Sequence, residues 1–288
     1  MQPATITTTA PVAETNGWQA RLRLDLRVDE RERTVLAACR HQGPLQVQRP
    51  FYPEADGTCH LYILHPPGGV VGGDSLEIDV NLAQNAQTLI TTPSAGRFYR
   101  SAGSIARQVQ SLRLAKGAAL EWLPQETILF AGARAQAMTR VELSHGSHFL
   151  GWEILCLGRP VVGERFTHGT FIQNFELWHD DLPLYLEQGR FQSGSPLSTA
   201  PWGMAGQPVT ATLLCTLEQA DLVEAIRTDW GEAAETELFG ATQLDGVLVC
   251  RYRGPSVGRA KELFLRAWRK LRPSLLGKPP RLPRIWQS

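Results

Sequence analysis

The chain has 288 residues, 43% of them hydrophobic and 20% charged, with a formal net charge of +1. This composition supplies enough apolar residues for one large core or two smaller ones. No apolar run approaches the roughly 18 residues that a membrane-spanning helix needs, so we expect no membrane association.

The N-terminal segment, residues 1–16, is rich in threonine and alanine. It lacks the basic and apolar stretches of a secretory signal, so we expect a disordered tail on a cytoplasmic protein. The five cysteines are far apart, without C-x-x-C spacing. They predict buried free thiols in a reducing compartment, not disulfides or a thiolate zinc site. We interpret the close pair His145 and His148 as polar surface, because no further ligands accompany it.

Short strands are predicted over most of residues 18–215. Apolar and polar residues alternate with a period of two along several runs, which is the pattern of half-buried strands. Glycine and proline separate the runs at short intervals, and no repeat of fixed period is visible. The sequence therefore predicts a mainly β fold, built as layers of many short strands. The clearest runs are 21–28, 61–64, 76–82, 137–143, 171–177 and 209–213.

A glycine-rich segment lies between two of these runs. Residues 65–74 contain four glycines and two prolines and end in Asp74. A phosphate-binding loop would be followed by Lys-Ser/Thr and a helix, whereas here a strand-like run follows. We therefore predict a strand–turn–strand connection in which glycine permits unusual backbone conformations or close backbone approach.

Residues 216–288 predict a different organisation, a helix–strand–helix portion. The first helix is expected to begin at Thr216, which has the capping-box spacing with Gln219. Gly231 is expected to end it. A strand is predicted to follow over 247–252.

The second helix is predicted over 259–271, with Pro273 just beyond its end. It lies in a strongly basic region, since residues 251–288 have 11 basic residues and one acid, a net of +10. Residues 1–250 have 18 basic and 27 acidic residues, a net of −9. The basic end is interpreted either as a solvated helix face or as a docking surface for an acidic partner. No nucleic-acid-binding motif accompanies it.

Sequence motifs of catalysis are absent. The chain has no Gly-x-Ser-x-Gly, no His-Glu-x-x-His and no dinucleotide fingerprint. The most site-like acid pair, Asp180 and Asp181, is interpreted as an exposed turn. A cytosolic hydrolase on a β scaffold is the alternative hypothesis, because catalytic partners need not be close in sequence. RNA binding by the basic end is a third hypothesis, and it predicts strongly salt-dependent binding.

Several sequence blocks occur in order from the first third of the chain to its end. They are GPLQVQRPFYPE at 43–54, HPPGGVVGGD at 65–74, TTPSAGRFYR at 91–100, WLPQE at 122–126, GRP with GE within 158–164, and RLPRIW at 281–286. Together they resemble the urease accessory protein family UreD, called UreH in some organisms. One block alone is a weak signal, whereas the ordered set is specific.

The resemblance implies a non-catalytic scaffold in urease maturation. Members of the family bind the accessory protein UreF, which recruits the GTPase UreG, and they contact apo-urease directly. The family fold is a helix-like stack of strands with a helical C-terminal portion. It implies one domain over 17–288, β-rich over 17–215 and helix–strand–helix over 216–288. No cofactor is expected to be bound stably, and transient Ni²⁺ is implied, because UreD has been viewed as part of an internal, water-filled nickel route.

Candidate residues for such a route follow from the chemistry of nickel. Nickel accepts carboxylate, imidazole and water ligands, and a transfer route needs weak sites. Isolated buried carboxylates suit it, and Asp74 is the first candidate because the glycines before it leave room for water. Turn capping by Asp74, and ion pairs of Glu153 or Glu164 with arginine, are the structural alternatives. The candidates on family-like blocks are Asp74, Glu77, Glu126, Glu153 and Glu164.

Arginine and tyrosine are common anchors at protein interfaces, and they also order loops. The candidate partner contacts in the family-like block 91–100 are Arg97, Tyr99 and Arg100, and those on the second predicted helix are Arg266, Arg269 and Lys270.

Overall fold

The computed structural model describes residues 17–287, so the tail expected over residues 1–16 lies outside the described residues. Within this range the chain forms eighteen strands, three α-helices and two 3₁₀ segments. The strands are β1 (Gln19–Val28), β2 (Thr34–Gln42), β3 (Gln46–Val47), β4 (Cys59–Leu64), β5 (Ser75–Leu82), β6 (Gln87–Thr91), β7 (Gly96–Phe98), β8 (Ala106–Leu114), β9 (Ala119–Leu123), β10 (Thr127–Leu129), β11 (Arg134–Leu143), β12 (His148–Arg159), β13 (Glu164–Arg165), β14 (Thr170–His179), β15 (Leu182–Gln192), β16 (Val209–Cys215), β17 (Leu238–Leu244) and β18 (Val247–Gly254). The helices are α1 (Pro196–Thr199), α2 (Ala220–Trp230) and α3 (Val257–Leu276), and the 3₁₀ segments are Pro160–Val162 and Arg284–Gln287.

Two stacked sheets contain these strands. Sheet I has the order β15-β14-β11-β8-β5-β1-β2, and its five central strands are parallel. Sheet II has the main order β17-β18-β16-β12-β9-β6-β4-β3 and is parallel from β4 to β12. From β4 to β14 the chain passes from one sheet to the other and back, so successive turns stack as coils. This architecture confirms the predicted mainly β fold with a small helical C-terminal portion.

The coils differ in length. Ser75, Arg107, Gln136 and Ile172 lie side by side across β5, β8, β11 and β14, although their spacing in the sequence is unequal. Loops of different size therefore connect strands that occupy equivalent places in the stack. For this reason the sequence shows no repeat of fixed period.

Two hydrophobic cores hold the layers together. One core lies between the sheets and includes Leu24, Val80 and Val141, none of which is exposed. The other lies between sheet II and helices α2 and α3, and includes Phe264 and Trp268. Strands of sheet II such as β12 are therefore buried on both faces, which explains why β12 is apolar along most of its length.

The start of helix α2 differs from the sequence prediction. The helix begins at Ala220, and Gln219 makes no side-chain capping bond. The hydroxyl of Thr216 instead accepts a hydrogen bond from Phe149 N at 2.8 Å. The capping-box prediction was wrong because Thr216 joins the ends of two paired strands. The helix ends before Gly231, as predicted.

Helix α3 is longer than predicted. It begins at Val257, where Ser256 Oγ accepts from Arg259 N at 3.2 Å, and continues through Pro273 to Leu276. Pro273 removes one helical hydrogen bond, but it lies on the exposed side of the helix, where water can serve the freed carbonyl. The single strand predicted before this helix is the second strand of a hairpin, β17–β18.

All five cysteines are free, as predicted. Cys39 is exposed on β2, whereas the other four are buried. Burial raises the pKa of the Cys59 thiol to about 11 and that of Cys156 to about 12. These two side chains are therefore neutral thiols near pH 7, poor nucleophiles and poor metal ligands. No helix within residues 17–287 is long and apolar enough to cross a membrane.

Candidate functional site

A cavity of about 120 Å³ lies between the two sheets, and its walls combine apolar and polar side chains. Strand alternation should place apolar groups here, yet β8, β11 and β14 turn polar side chains inward. Among them are Gln108, Gln110, Thr139 and Gln173. A cavity of this volume has room for several waters, which its polar side chains could hydrogen-bond.

Glu153 of β12 faces this cavity. Its Oε1 lies 2.5 Å from the hydroxyl oxygen of Thr139, and its Oε2 accepts a hydrogen bond from the amide of Gln173. Burial raises the pKa of the Glu153 carboxyl to about 7, and the negative charge of Glu187 adds to the shift. Among the residues that the structure describes, no cationic side chain pairs with Glu153. Near neutral pH the carboxyl therefore either holds a proton or is free to bind a cation.

A second cavity of about 40 Å³ shares Glu153 and Gln173 as wall residues and extends the polar interior to Glu187. Glu187 accepts a hydrogen bond from Tyr185 Oη at 2.6 Å and pairs with Arg251 at 2.7 Å. The Arg251 side chain is 56% exposed. Polar groups thus form a line from the cavity to the protein surface between β15 and β18.

On another side, the cavity borders an open groove on the outside of sheet II. The loop at 93–95 and the pair Pro124-Gln125 form walls of both the cavity and the groove. Glu126 lies in this groove, where its carboxylate pairs with Lys261 of α3 at 2.5 Å. Trp286 also lines the groove, with its ring centre 5.8 Å from that of Trp152. Glu126 is therefore placed just outside the cavity, beside the C-terminal segment.

Asp74 and Glu77 lie away from the cavity walls. Asp74 is 6% exposed, and its two oxygens accept hydrogen bonds from Trp18 N at 2.8 Å and Val71 N at 2.9 Å. This is the turn-capping arrangement. Glu77 lies on the outer face of sheet I and pairs with Arg21 at 2.9 Å.

Glu164 has the structural role of an ion-pair partner. Its carboxylate accepts hydrogen bonds from Arg159 Nε at 2.6 Å and from Ala131 N at 3.0 Å. The backbone N–H of Ala131 and the guanidinium of Arg159 hold the pKa of this carboxyl below its usual range. The five carboxylate candidates therefore do not converge, and only Glu153 and Glu126 lie at or beside the cavity.

Arg97 and Tyr99 order the glycine-rich turn. Arg97 lines the cavity and donates to Gly68 O at 3.2 Å. The ring of Tyr99 packs against Gly69, where any Cβ would overlap it, and meets Phe130 edge-on at 4.7 Å. Glycine is required at residue 69 for this close approach. Arg100, the third candidate of this block, is exposed.

The three candidate partner contacts on α3 differ in whether their charges are already paired within the protein. Arg266 and Lys270 both pair with Asp229 of α2, at 2.8 Å and 3.7 Å. Arg269 is exposed, and it forms no ion pair with any residue that the structure describes. Part of the basic helix face is thus used to attach α3 to α2.

Glu187 and the polar partners of Glu153 were not among the residues predicted from the sequence. A signal was present, because Gln173 interrupts the inward-facing series Phe171, Phe175 and Leu177 of β14. A glutamine in such a position has to be satisfied by another polar group inside the protein. No group of three or more His, Cys, Asp and Glu side chains is gathered within residues 17–287 in a way that could hold a metal ion.

The fold and site together define a two-sheet coiled β protein with a cavity between its sheets that is lined in part by polar side chains. The family model for the UreD urease accessory protein matches residues 19–287. The chain is 48% identical to the urease accessory protein UreD of Azoarcus sp. (strain BH72) over 276 residues, covering 94% of this chain and 95% of the relative. It is 46% identical to UreD of Klebsiella aerogenes over 274 residues, covering 94% and 97%. The chain belongs to the UreD family.

Proposed function

We propose that this chain is a non-catalytic scaffold of urease maturation, which bridges apo-urease to UreF and, through UreF, to UreG, and which helps nickel reach the urease active site. Family membership supports the urease role, because the relatives are urease accessory proteins. The observation that supports the nickel role is Glu153, a carboxylate that faces an interior cavity beside other polar groups and has no cationic partner among the described residues.

The chemistry of Glu153 suits passage of a divalent cation. A single carboxylate supported by neutral hydrogen-bond donors and water binds such a cation weakly, whereas several converging ligands would retain it. Because the pKa of this carboxyl is about 7, an arriving cation displaces a proton at little cost near neutral pH. In the proposed mechanism Glu153 gives its proton to water in the cavity when the ion binds, and takes a proton from that water when the ion leaves.

The line of polar groups supplies a path in both directions from Glu153. Towards the β15–β18 edge the next carboxylate is Glu187, which shares a cavity wall with Glu153. Towards the groove on sheet II the next is Glu126, which exchanges its pairing with Lys261 for the cation. Asp74, Glu77 and Glu164 lie off this path, since backbone N–H groups or an arginine already hold their carboxylates.

We place the partner contacts at the exposed residues among the six candidates in the block 91–100 and on α3. Arg100 and Arg269 are directly accessible. Arg266 and Lys270 contribute only if a partner replaces Asp229, and Arg97 and Tyr99 act by fixing the loop that presents Arg100.

The scaffold role is tested by co-expression of the full chain with UreF and apo-urease, followed by size-exclusion chromatography and nickel analysis. We expect one complex that contains all three proteins, and no catalytic turnover by this chain with hydrolase substrates. Elution of the chain free of both partners would overturn the scaffold role, and turnover would support the hydrolase alternative.

A further inference from the structure

The outer face of sheet I is open. Helices α2 and α3 pack on sheet II, and α1 lies against β15 at the edge of sheet I. No helix within residues 17–287 covers the outer face of the central parallel strands. Sheets with parallel strands are usually covered on both faces, so a bare one is a candidate contact surface.

Three arginines project from one end of this face. Arg107 of β8 and Arg190 of β15 lie in one row, joined through Gln136 and Ile172 of the strands between them. Arg134 precedes Gln136 by two residues and therefore points to the same side. With strands about 4.8 Å apart, the row from Arg107 to Arg190 spans about 14 Å. All three side chains belong to exposed residues.

These arginines are not neutralised. Other arginines of this face are paired, as in Arg21 with Glu77 at 2.9 Å and Arg140 with Glu176 at 3.0 Å, whereas Arg27 and Arg40, near the β1–β2 edge, form no ion pair with any described residue. Within the part of the chain that the structure describes, Arg107, Arg134 and Arg190 form no ion pair.

The acids nearest this end of the face already have partners. Asp74 accepts two backbone N–H groups, Glu77 in the next row pairs with Arg21, and Glu164 is bound to Arg159. Three exposed arginines without an ion pair among the described residues give this end of the face an excess of positive charge, and the excess is local, because the whole chain has a net charge of only +1.

An apolar row lies next to the arginines. Val109 of β8 pairs with Met138 of β11, two residues along from Arg107 and Gln136. Val109 is 36% exposed, and Ile172 in the arginine row is a further apolar residue on this face. A partner suited to this surface has carboxylates beside an apolar side chain.

We propose that Arg107, Arg134 and Arg190, with Val109 and Met138, form a docking surface for an acidic segment of a partner protein. Guanidinium groups bind carboxylates through two parallel hydrogen bonds, and the apolar row excludes water beside them. The apolar row and the short span of the patch favour a protein segment over nucleic acid, whose backbone offers phosphates along its whole length. The proposal rests on the scaffold role proposed above, and it names a surface that this role would use.

The test compares two triple charge reversals in the full-length chain. The first is Arg107→Glu, Arg134→Glu and Arg190→Glu. The matched control is Arg27→Glu, Arg31→Glu and Arg40→Glu, because these arginines are also exposed and also lack ion pairs among the described residues, but lie on the β1–β2 side. The probes are a fluorescent 12-residue peptide that alternates glutamate and leucine, and a 12-nucleotide RNA.

We expect the first variant to bind the peptide at least tenfold more weakly than the wild type, and the control to bind within twofold of it. Equal peptide binding by both variants would overturn the proposal. RNA binding by the wild type that exceeds peptide binding and is lost in the first variant would also overturn it, in favour of a nucleic-acid surface. Failure of the wild type to co-elute with UreF and apo-urease would count against the scaffold role alone, since the peptide measurement does not depend on those partners.

Discussion

Arg272 of α3 meets Glu121 of β9 inside the interface between the C-terminal helix and sheet II, with its Nε 3.0 Å from each carboxylate oxygen. Its Nη2 also reaches the carboxylate of Glu54, at 2.7 Å and 2.8 Å. Trp268 donates to Glu121 at 2.7 Å, and His60 lies 2.7 Å from Glu54. Neither Arg272 nor Glu121 is more than 1% exposed. One cation thus joins the helix to two separate parts of the coil stack.

Replacement Arg272→Met should lower the free energy of unfolding by about 3–5 kcal/mol, because it leaves two buried carboxylates without their cation. Arg269→Met is the matched control on the exposed face of the same helix, and it should change stability by no more than about 0.5 kcal/mol. Urea unfolding, monitored by tryptophan fluorescence, measures the free energy of unfolding of both variants. Similar losses of stability in the two variants would show that the contacts of Arg272 with Glu121 and Glu54 do not attach α3 to sheet II.

The carboxyl of Glu153 should make stability pH-dependent. Its folded-state pKa is raised from 4.5 to about 7, so between these values the folded state keeps a proton that the unfolded state has lost. The contribution of the protonated Glu153 carboxyl to the free energy of unfolding is therefore complete below about pH 4.5, and it is lost as pH rises through about 7. The shift corresponds to an upper limit of about 3 kcal/mol.

Urea unfolding of the wild type and of Glu153→Gln between pH 5 and pH 8 tests this expectation. The variant should show a flatter decline with pH, because glutamine does not titrate. Glu142→Gln, on the exposed outer face, should keep the wild-type slope. Parallel curves for the wild type and Glu153→Gln would show that Glu153 titrates near its ordinary pKa.

Asp74 should matter for the fold of the glycine-rich turn. Asp74→Ala removes the acceptors of two backbone N–H groups, those of Trp18 and Val71, and should cost about 1–2 kcal/mol. Asp79→Ala is the control, since Asp79 is an exposed acid on the neighbouring strand that pairs with Arg113. Thermal unfolding of both variants distinguishes them, and an equal change in Tm would argue against the capping role.

Much of the fold could be predicted from local alternation. The run at 21–28 became Gln19–Val28, and the run at 76–82 became Ser75–Leu82, because a sheet face that meets a core imposes a period of two. The errors came from long-range contacts. Thr216 caps no helix because Phe149 N occupies its hydroxyl, and residue 149 is far away in the sequence.

The site could be predicted only in part. Glu153 was a candidate because its block resembled a family, but its partners Thr139 and Gln173 come from strands of the other sheet. Which strands face each other depends on how the coils stack. Because the loops between strands differ in length, the sequence alone does not predict which strands face each other. Arg272 was missed for a related reason. The predicted helix ended at residue 271, and only the structure extends it through Arg272 and shows the two carboxylates that compensate its charge.

The most direct test of the proposed function is the nickel content of urease matured in cells that express Glu153→Gln or Glu187→Gln, measured by mass spectrometry on complexes purified through this chain. Glu142→Gln is again the control. We predict that both interior variants keep UreF and apo-urease bound but leave urease with less than about a tenth of the wild-type nickel, whereas the control matches the wild type. Full nickel loading by an interior variant whose complex is intact would contradict the proposal that nickel passes through this protein.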